Sequence, residues 1–179
     1  MFLLCRFGVR KTEVLLKTAR AYIRALDSLD IDGLRAITTP DFSIFIGPAS
    51  TRLGADDDTA TRDVFLQRFT GMKKLVRTLH TQIVKEWPPN EASNQVTLHA
   101  VGDTEWLPEV VGDDDPKEWD WKGEVLMILT MDESGEKVKH KFDFTDSSEA
   151  AKMTELFKKA TTKLQIDEIV GAERVQSDL

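Results

Sequence analysis

Removing a proton next to a carbonyl requires a base, a donor for the oxygen that becomes negative, and sometimes an acid for a departing hydroxyl. The chain holds few groups suited to that work. Its histidines are His80, His99 and His140, and histidine is the side chain whose ordinary pKa lies nearest neutrality. All three fall in stretches with strand alternation. Tyr22 is the single tyrosine. It lies on the apolar stripe of a helical segment, where its phenol is either a packed core ring or a donor to a bound carbonyl. Asp143 lies in "KVKHKFDFTDSSEA" (137–150). It is either a general base or the cross-strand partner of a lysine.

Alternation sorts these groups by face. In 137–150, Val138, His140, Phe142 and Phe144 share one side and Lys139, Lys141 and Asp143 the other. His80 goes with Thr78, Gln82 and Val84; His99 goes with Thr97 and Val101, opposite Val96, Leu98 and Ala100. Two arrangements stay open. If the apolar side of the last strand looks inward, His140 is the internal base. If the mixed side looks inward, His80, His99 and Asp143 converge. Phe45, Phe142 and Phe144 are candidate apolar contacts for a substrate. Trp87, Trp106, Trp119 and Trp121 follow strand ends, and the last three flank the acidic "EVVGDDDPKE" (109–118). They are walls for a flat polycyclic ligand under a lid, or else cover for a sheet edge or a dimer contact.

The elements that must position these groups follow from hydrophobic periodicity. A helix is predicted from Thr12, its N-cap, with Leu15, Ala19, Tyr22, Leu26 and Leu29 on one stripe. Asp30 caps a short second helix bearing Ile31, Leu34 and Ile37, which Pro40 ends. "DFSIFI" (41–46) is a strand closed by "GPAS", and a third helix starts at Thr61 with Phe65, Phe69 and Met72 inside. "RTLHTQIVKEW" (77–87) reads as one long strand, antiparallel to "QVTLHAVGDTEW" (95–106). "LPEVVGDDDPKEWDW" (107–121) reads as an insertion too polar and turn-rich to be core. "KGEVLMILTM" (122–131), the most apolar strand, belongs at the sheet centre, and "DESG" turns the chain into the final strand. Asp146 and Glu149 have capping-box spacing ahead of a last helix with Met153, Phe157, Ala160 and Leu164 on its stripe. The expected organisation is an N-terminal extension (1–11), one domain (12–164) and a frayed C-terminal tail (165–179).

Helices followed by consecutive antiparallel strands and a C-terminal helix indicate an α+β fold; a strongly curved antiparallel sheet wrapped around the N-terminal helices would leave a cavity at the wide end of the resulting cone. The bulk numbers narrow the function. With 179 residues, 41% hydrophobic and 31% charged, the chain suits one globular domain. A net charge of −7 disfavours nucleic acid and anionic membrane as partners. Cys5 is the only cysteine, so no internal disulfide or thiolate metal cluster forms and a cytoplasmic location is expected. Arg6 interrupts the apolar start of "MFLLCRFGVR", unlike a secretory signal, and no run approaches the roughly 18 apolar residues of a membrane span. The adjacent aspartates of "TRLGADDDTAT" (51–61) lack spaced partner ligands and read as solvated, so no metal is expected. The phosphate cradle, nucleophile elbow and zinc-spaced histidine pair are missing from the sequence.

Three stretches carry a family resemblance: "AYIRALDSLDIDGLRAITTPDF" (21–42), "GPAS" with "TRDVFLQRF" (61–69), and "MDESGEKVKHKFDFTDS" (131–147). Together with the strand order, over roughly 12–163, they resemble the SnoaL-like polyketide cyclases of the nuclear-transport-factor-2-like superfamily, in particular fungal members. That resemblance implies an α+β cone, a homodimer, and small-molecule chemistry without a cofactor. The family's acidic position near the end of the last strand falls on Asp143, where a shorter Asp replaces the usual Glu. The expected function is a cofactor-independent isomerase, cyclase or dehydratase. Its substrate would be a small hydrophobic or polycyclic, polyketide- or terpenoid-like molecule of secondary metabolism. The alternative is a noncatalytic small-molecule-binding or dimeric interaction protein of the same fold.

Overall fold

The computed structural model describes residues 3–48 and 59–165, and the side chains of 11–48 and 60–165. The expected turn at Ala49 and Ser50, the aspartates of the 51–58 loop and the tail beyond 165 lie outside the described residues.

The first helix, α1 (Leu3–Asp27), begins earlier than its periodicity suggests and runs through Thr12. Thr12 is therefore an interior residue and not the cap; its hydroxyl donates to the Glu91 carboxylate. Leu15, Ala19, Tyr22 and Leu26 are buried as expected. Leu29 departs from the helix. It takes φ 49°, and the amide of Asp30 reaches back to the Ala25 carbonyl at 2.9 Å. A left-handed cap on a residue other than glycine costs about 1 kcal/mol. Complete burial of the Leu29 side chain offsets that cost, since burying a leucine contributes about 1.5–3 kcal/mol. Asp30 then caps α2 (Ile31–Ile37), accepting from the Gly33 amide at 3.0 Å.

Strand β1 (Thr38–Gly47) follows directly, then β2 (Thr59–Thr61) and α3 (Arg62–Met72). The expected single strand over 77–87 is two strands, β3 (Val76–Thr78) and β4 (Gln82–Glu86). His80 sits at the break with φ 39°. The ladder stops because Asp27, at the end of α1, takes its donors: its carbonyl accepts from the Leu79 amide and the Thr78 hydroxyl, and its carboxylate from the Thr81 amide. Next come β5 (Gln95–Asp103), β6 (Glu105–Trp106), α4 (Pro108–Val111) and a 3-10 turn at Pro116–Trp119. β7 (Lys122–Met131), β8 (Val138–Thr145) and α5 (Ser147–Leu164) complete the domain. Asp146 caps α5 through the amides of Ser148 and Glu149.

One sheet runs β2-β1-β8-β7-β5-β4, with β7 and β8 at its centre, and β3 pairs with β6 in a second small sheet. The large sheet is antiparallel except for β1 and β8, which run parallel. α1, α2 and α3 fill its concave side, and Tyr22, Phe42, Phe65, Leu98, Met127 and Leu129 belong to the core formed there. A second core lies beneath α5. The acidic 107–121 segment, expected outside any core, supplies much of it: Val110 is fully buried and Trp119 is 2% exposed. Burial is possible because each indole N–H has an acceptor. Trp106 donates to the Trp119 carbonyl at 3.0 Å, Trp119 to Asp114 at 3.2 Å and Trp121 to the Glu149 carbonyl at 2.8 Å. The acidic side chains turn outward, where Asp114 meets Lys159 at 3.1 Å and Lys163 at 3.0 Å. Phe69 and Leu79 pack against both cores and join them.

Candidate active site

Which side of β8 faces the helices is decided by one extra residue. Met131 pairs with Val138, but Thr130 pairs with His140, so Lys139 is bulged out of the ladder. A bulge reverses the alternation beyond it. Val138 is buried, but from His140 onward the mixed side is the inner one, so Val138 does not share a face with His140, Phe142 and Phe144 as the pattern predicted. Lys141 and Asp143 point into the concave interior, opposite Leu129 and Met127 on β7 and Ile44 and Ile46 on β1.

There the two charges meet. Lys141 Nζ donates to Asp143 Oδ2 at 2.7 Å, with side-chain exposures of 5% and 13%. The ammonium lies 5.7 Å from the centre of the Tyr22 ring, within cation–π range. Asp143 Oδ1 and the Tyr22 hydroxyl are both buried without a hydrogen-bond partner among the described residues. Such orphaned groups are uncommon in folded proteins and call for an explanation. Burial raises the Asp143 pKa above its ordinary value, while the charge and hydrogen bond of Lys141 oppose the rise. Burial, with the Asp143 charge adding to it, raises the Tyr22 phenol well above 10, so it stays a hydrogen-bond donor at physiological pH. The interior opens toward the Asp143 end: along the inner side of β1, exposure rises from 1% at Phe42 through 6% at Ile44 to 36% at Ile46.

Of the acid–base candidates from the sequence, the structure brings Asp143 and Tyr22 together. The histidines do not converge. His140 lies on the convex side, its Nδ1 2.7 Å from the Ser43 hydroxyl. His99 also faces outward and meets Glu124 at 2.5 Å. His80 lies at the β3–β4 break, with Nδ1 2.6 Å from Asp103 and Nε2 3.4 Å from Glu105. Phe45 and Phe142 stack with ring centres 5.4 Å apart, and Phe144 is 51% exposed; all three are on the convex side by their register with His140. Trp87 lies beyond β4 under the Lys85 ammonium, while Trp106, Trp119 and Trp121 belong to the second core. Lys141 went unrecognised in the sequence, grouped with Lys139 on the mixed side of the strand. Its signal was a Lys and an Asp two residues apart on a strand of the sheet centre. A groove of about 370 Å3 on the outer side of α1, lined by Glu13, Leu16, Lys17, Arg20 and Arg24, lies apart from this chemistry.

The Asp103 hydrogen bond, with the Asp103, Glu105 and Asp27 charges reinforcing it, raises the His80 pKa. The folded protein thus holds this proton more tightly than the unfolded chain does. The stabilisation is fully present below about pH 6.5 and is lost as pH rises through the raised value. The Tm difference between wild type and His80→Gln is therefore expected to be larger at about pH 5.5 than at about pH 9. Equal differences at both would remove His80 as a contributor.

No family model matches the chain, and no curated protein matches it in sequence. Solved structures do match. PrhC from Penicillium brasilianum superposes with TM-score 0.68 at 15% identity, over 89% of this chain and 95% of that one. AusH from Aspergillus nidulans gives 0.62 at 22% identity, over 75% and 85%. The BvnE pinacolase from Penicillium brevicompactum gives 0.68 at 15% identity, over 83% and 97%. At these identities the likeness is one of fold.

Proposed function

Starting from a chain with the cone fold of the SnoaL-like, nuclear-transport-factor-2-like proteins, we propose that it is a cofactor-independent isomerase, cyclase or dehydratase. Its substrate is a polyketide- or terpenoid-like carbonyl compound of secondary metabolism. The observation that carries this reading is the interior cluster: an ion-paired carboxylate with one oxygen unpartnered among the described residues, beside a phenol held in its protonated form. Asp143 Oδ1 accepts a proton from the carbon next to the carbonyl, and the Tyr22 hydroxyl donates to the oxygen as it becomes negative. Returning the proton to another carbon isomerises the substrate. Losing a β-hydroxyl as water dehydrates it, and attack on a second carbonyl cyclises it.

The test is deuterium uptake from D2O next to the carbonyl of 2-tetralone, a bicyclic ketone, followed by mass spectrometry. Wild type is expected to exceed buffer, and Asp143→Asn to lose the excess. Saturable binding with no uptake above buffer favours the alternative, a noncatalytic ligand-binding protein. One observation favours that alternative already: one oxygen of Asp143 is held by Lys141.

The convex sheet side is proposed as a homodimer contact. It carries the row His99, Leu126 and Phe144 across β5, β7 and β8, and Val84, Leu126 and Phe144 are exposed at 54%, 37% and 51%, an apolar surface of the kind that marks association. Light scattering is expected to give twice the chain mass, and Phe144→Glu to halve it. A monomer mass for wild type at all concentrations would remove the dimer.

A further inference from the structure

We propose that Lys141 is a nucleophile, forming a protonated imine with a carbonyl ligand in the interior of the cone. The inference rests on the carbonyl reading above and changes the step by which the carbonyl is activated. Three observations carry it. Lys141 is a primary amine placed among apolar side chains, between Ile44 and Leu129 on the neighbouring strands. Its ion-pair partner, at 2.7 Å, lies along a bond that a proton can cross. The two groups that amine catalysis needs next, a carboxyl oxygen and a hydroxyl donor, are both present and both unpartnered among the described residues. Desolvated lysines are the ones used as Schiff-base nucleophiles, and the 2.7 Å contact puts a proton acceptor against the amine.

The steps balance without any redox reagent. The Lys141 ammonium gives a proton to Asp143 Oδ2, and the freed nitrogen pair forms a C–N bond as the carbonyl π pair moves to oxygen. That oxygen takes the proton held by Asp143, giving a protonated carbinolamine. Asp143 removes one N–H proton and returns it to the hydroxyl, which leaves as water while the nitrogen pair closes the C=N bond. The sum is ammonium plus carbonyl giving protonated imine plus water. Asp143 is again a carboxylate, ready to remove the proton on the adjacent carbon and leave an enamine. The positive charge that draws electrons from the C–H bond is then on nitrogen within the substrate, so the enolate need not be stabilised as an anion. The Tyr22 hydroxyl donates to the carbinolamine oxygen during its formation and loss.

A near neighbour supplies an internal control. Lys139, two residues away on the same strand, is 43% exposed at its side chain, against 5% for Lys141. Ordinary reductive alkylation follows exposure and modifies Lys139 before Lys141; an imine formed by this site reverses the order. The experiment treats full-length wild-type protein with substoichiometric 2-tetralone and sodium cyanoborohydride at neutral pH, then maps the modified lysine by fragment-ion mass spectrometry. The expected result is the reduced adduct on Lys141 with Lys139 unmodified. Lys141→Arg keeps a cation beside Asp143 but cannot form the adduct, and is expected to reduce deuterium uptake by 2-tetralone to the buffer rate. Adducts confined to Lys139 and other exposed lysines, with deuterium uptake intact in Lys141→Arg, overturn the imine and leave the acid–base reading standing. Neither adduct nor uptake in wild type overturns both.

Discussion

Replacing Lys141 by methionine is expected to destabilise the protein by about 3–5 kcal/mol at neutral pH, the usual cost of removing one member of a buried ion pair. In a domain of this size that corresponds to a fall in Tm of roughly 6–20 °C. Methionine fills the space of the lysine stem, so packing is not the main loss. The cost arises because the Asp143 carboxylate is left in an apolar interior without its counter-ion. Its pKa is raised by burial even in the wild type, and without Lys141 nothing restrains the rise. With a raised carboxyl pKa the folded state binds more protons than the unfolded state between the two values, so stability falls as pH rises through that window. Below about pH 3.9, the ordinary aspartate value, both states are protonated and the difference closes. Thermal denaturation from about pH 4 to pH 8 should therefore show the variant approaching wild type only at the acid end. The double variant Lys141→Met with Asp143→Leu removes both charges and is expected to recover most or all of the loss. A single variant with unchanged Tm at pH 8 would mean that the pair is not desolvated as its exposures indicate.

The second large effect concerns proton transfer. Asp143→Asn should lower deuterium uptake next to the 2-tetralone carbonyl by about 10²–10⁴-fold, the range assigned to a positioned general base. Asparagine keeps the shape and accepts from Lys141 but takes up no proton at neutral pH. Tyr22→Phe should lower uptake by about 10²–10³-fold, as for loss of one oxyanion donor, with ligand binding retained. Its stability should hold or improve, because the hydroxyl removed has no partner among the described residues. His140→Gln, on the convex side against Ser43, should leave uptake unchanged. Measuring the three variants in one assay separates the interior cluster from the outer face. Uptake lost in His140→Gln and kept in Asp143→Asn would place the chemistry on the wrong side of the sheet.

Much of the architecture was legible because it rests on local physics. The stripes of α1, α3 and α5, the caps at Asp30 and Asp146, and the apolar run of β7 each follow from periodicity or side-chain hydrogen bonding within a few residues. Asp143 and Tyr22 were legible as candidates for the same reason: each is an ionisable group on a patterned element, and Tyr22 is the single tyrosine. Their meeting was not. The inner side of β8 depends on a bulge at Lys139, where the ladder slips against β7, and a pattern of period two carries no mark of a slipped partner. The break at His80 depends on Asp27, more than fifty residues earlier in the chain, competing for the same amides. The tryptophans of the acidic segment are buried because α5 returns to cover them, which no composition window reveals.

The sequence by itself determined the main helices, most strands of the large sheet, their order and the α+β class, since propensity, periodicity and capping act within one segment at a time. Only the tertiary structure decided that Lys141, Asp143 and Tyr22 share an interior and that the three histidines lie outside it. Those placements depend on register, competition for backbone donors and burial, each set by residues distant in the chain.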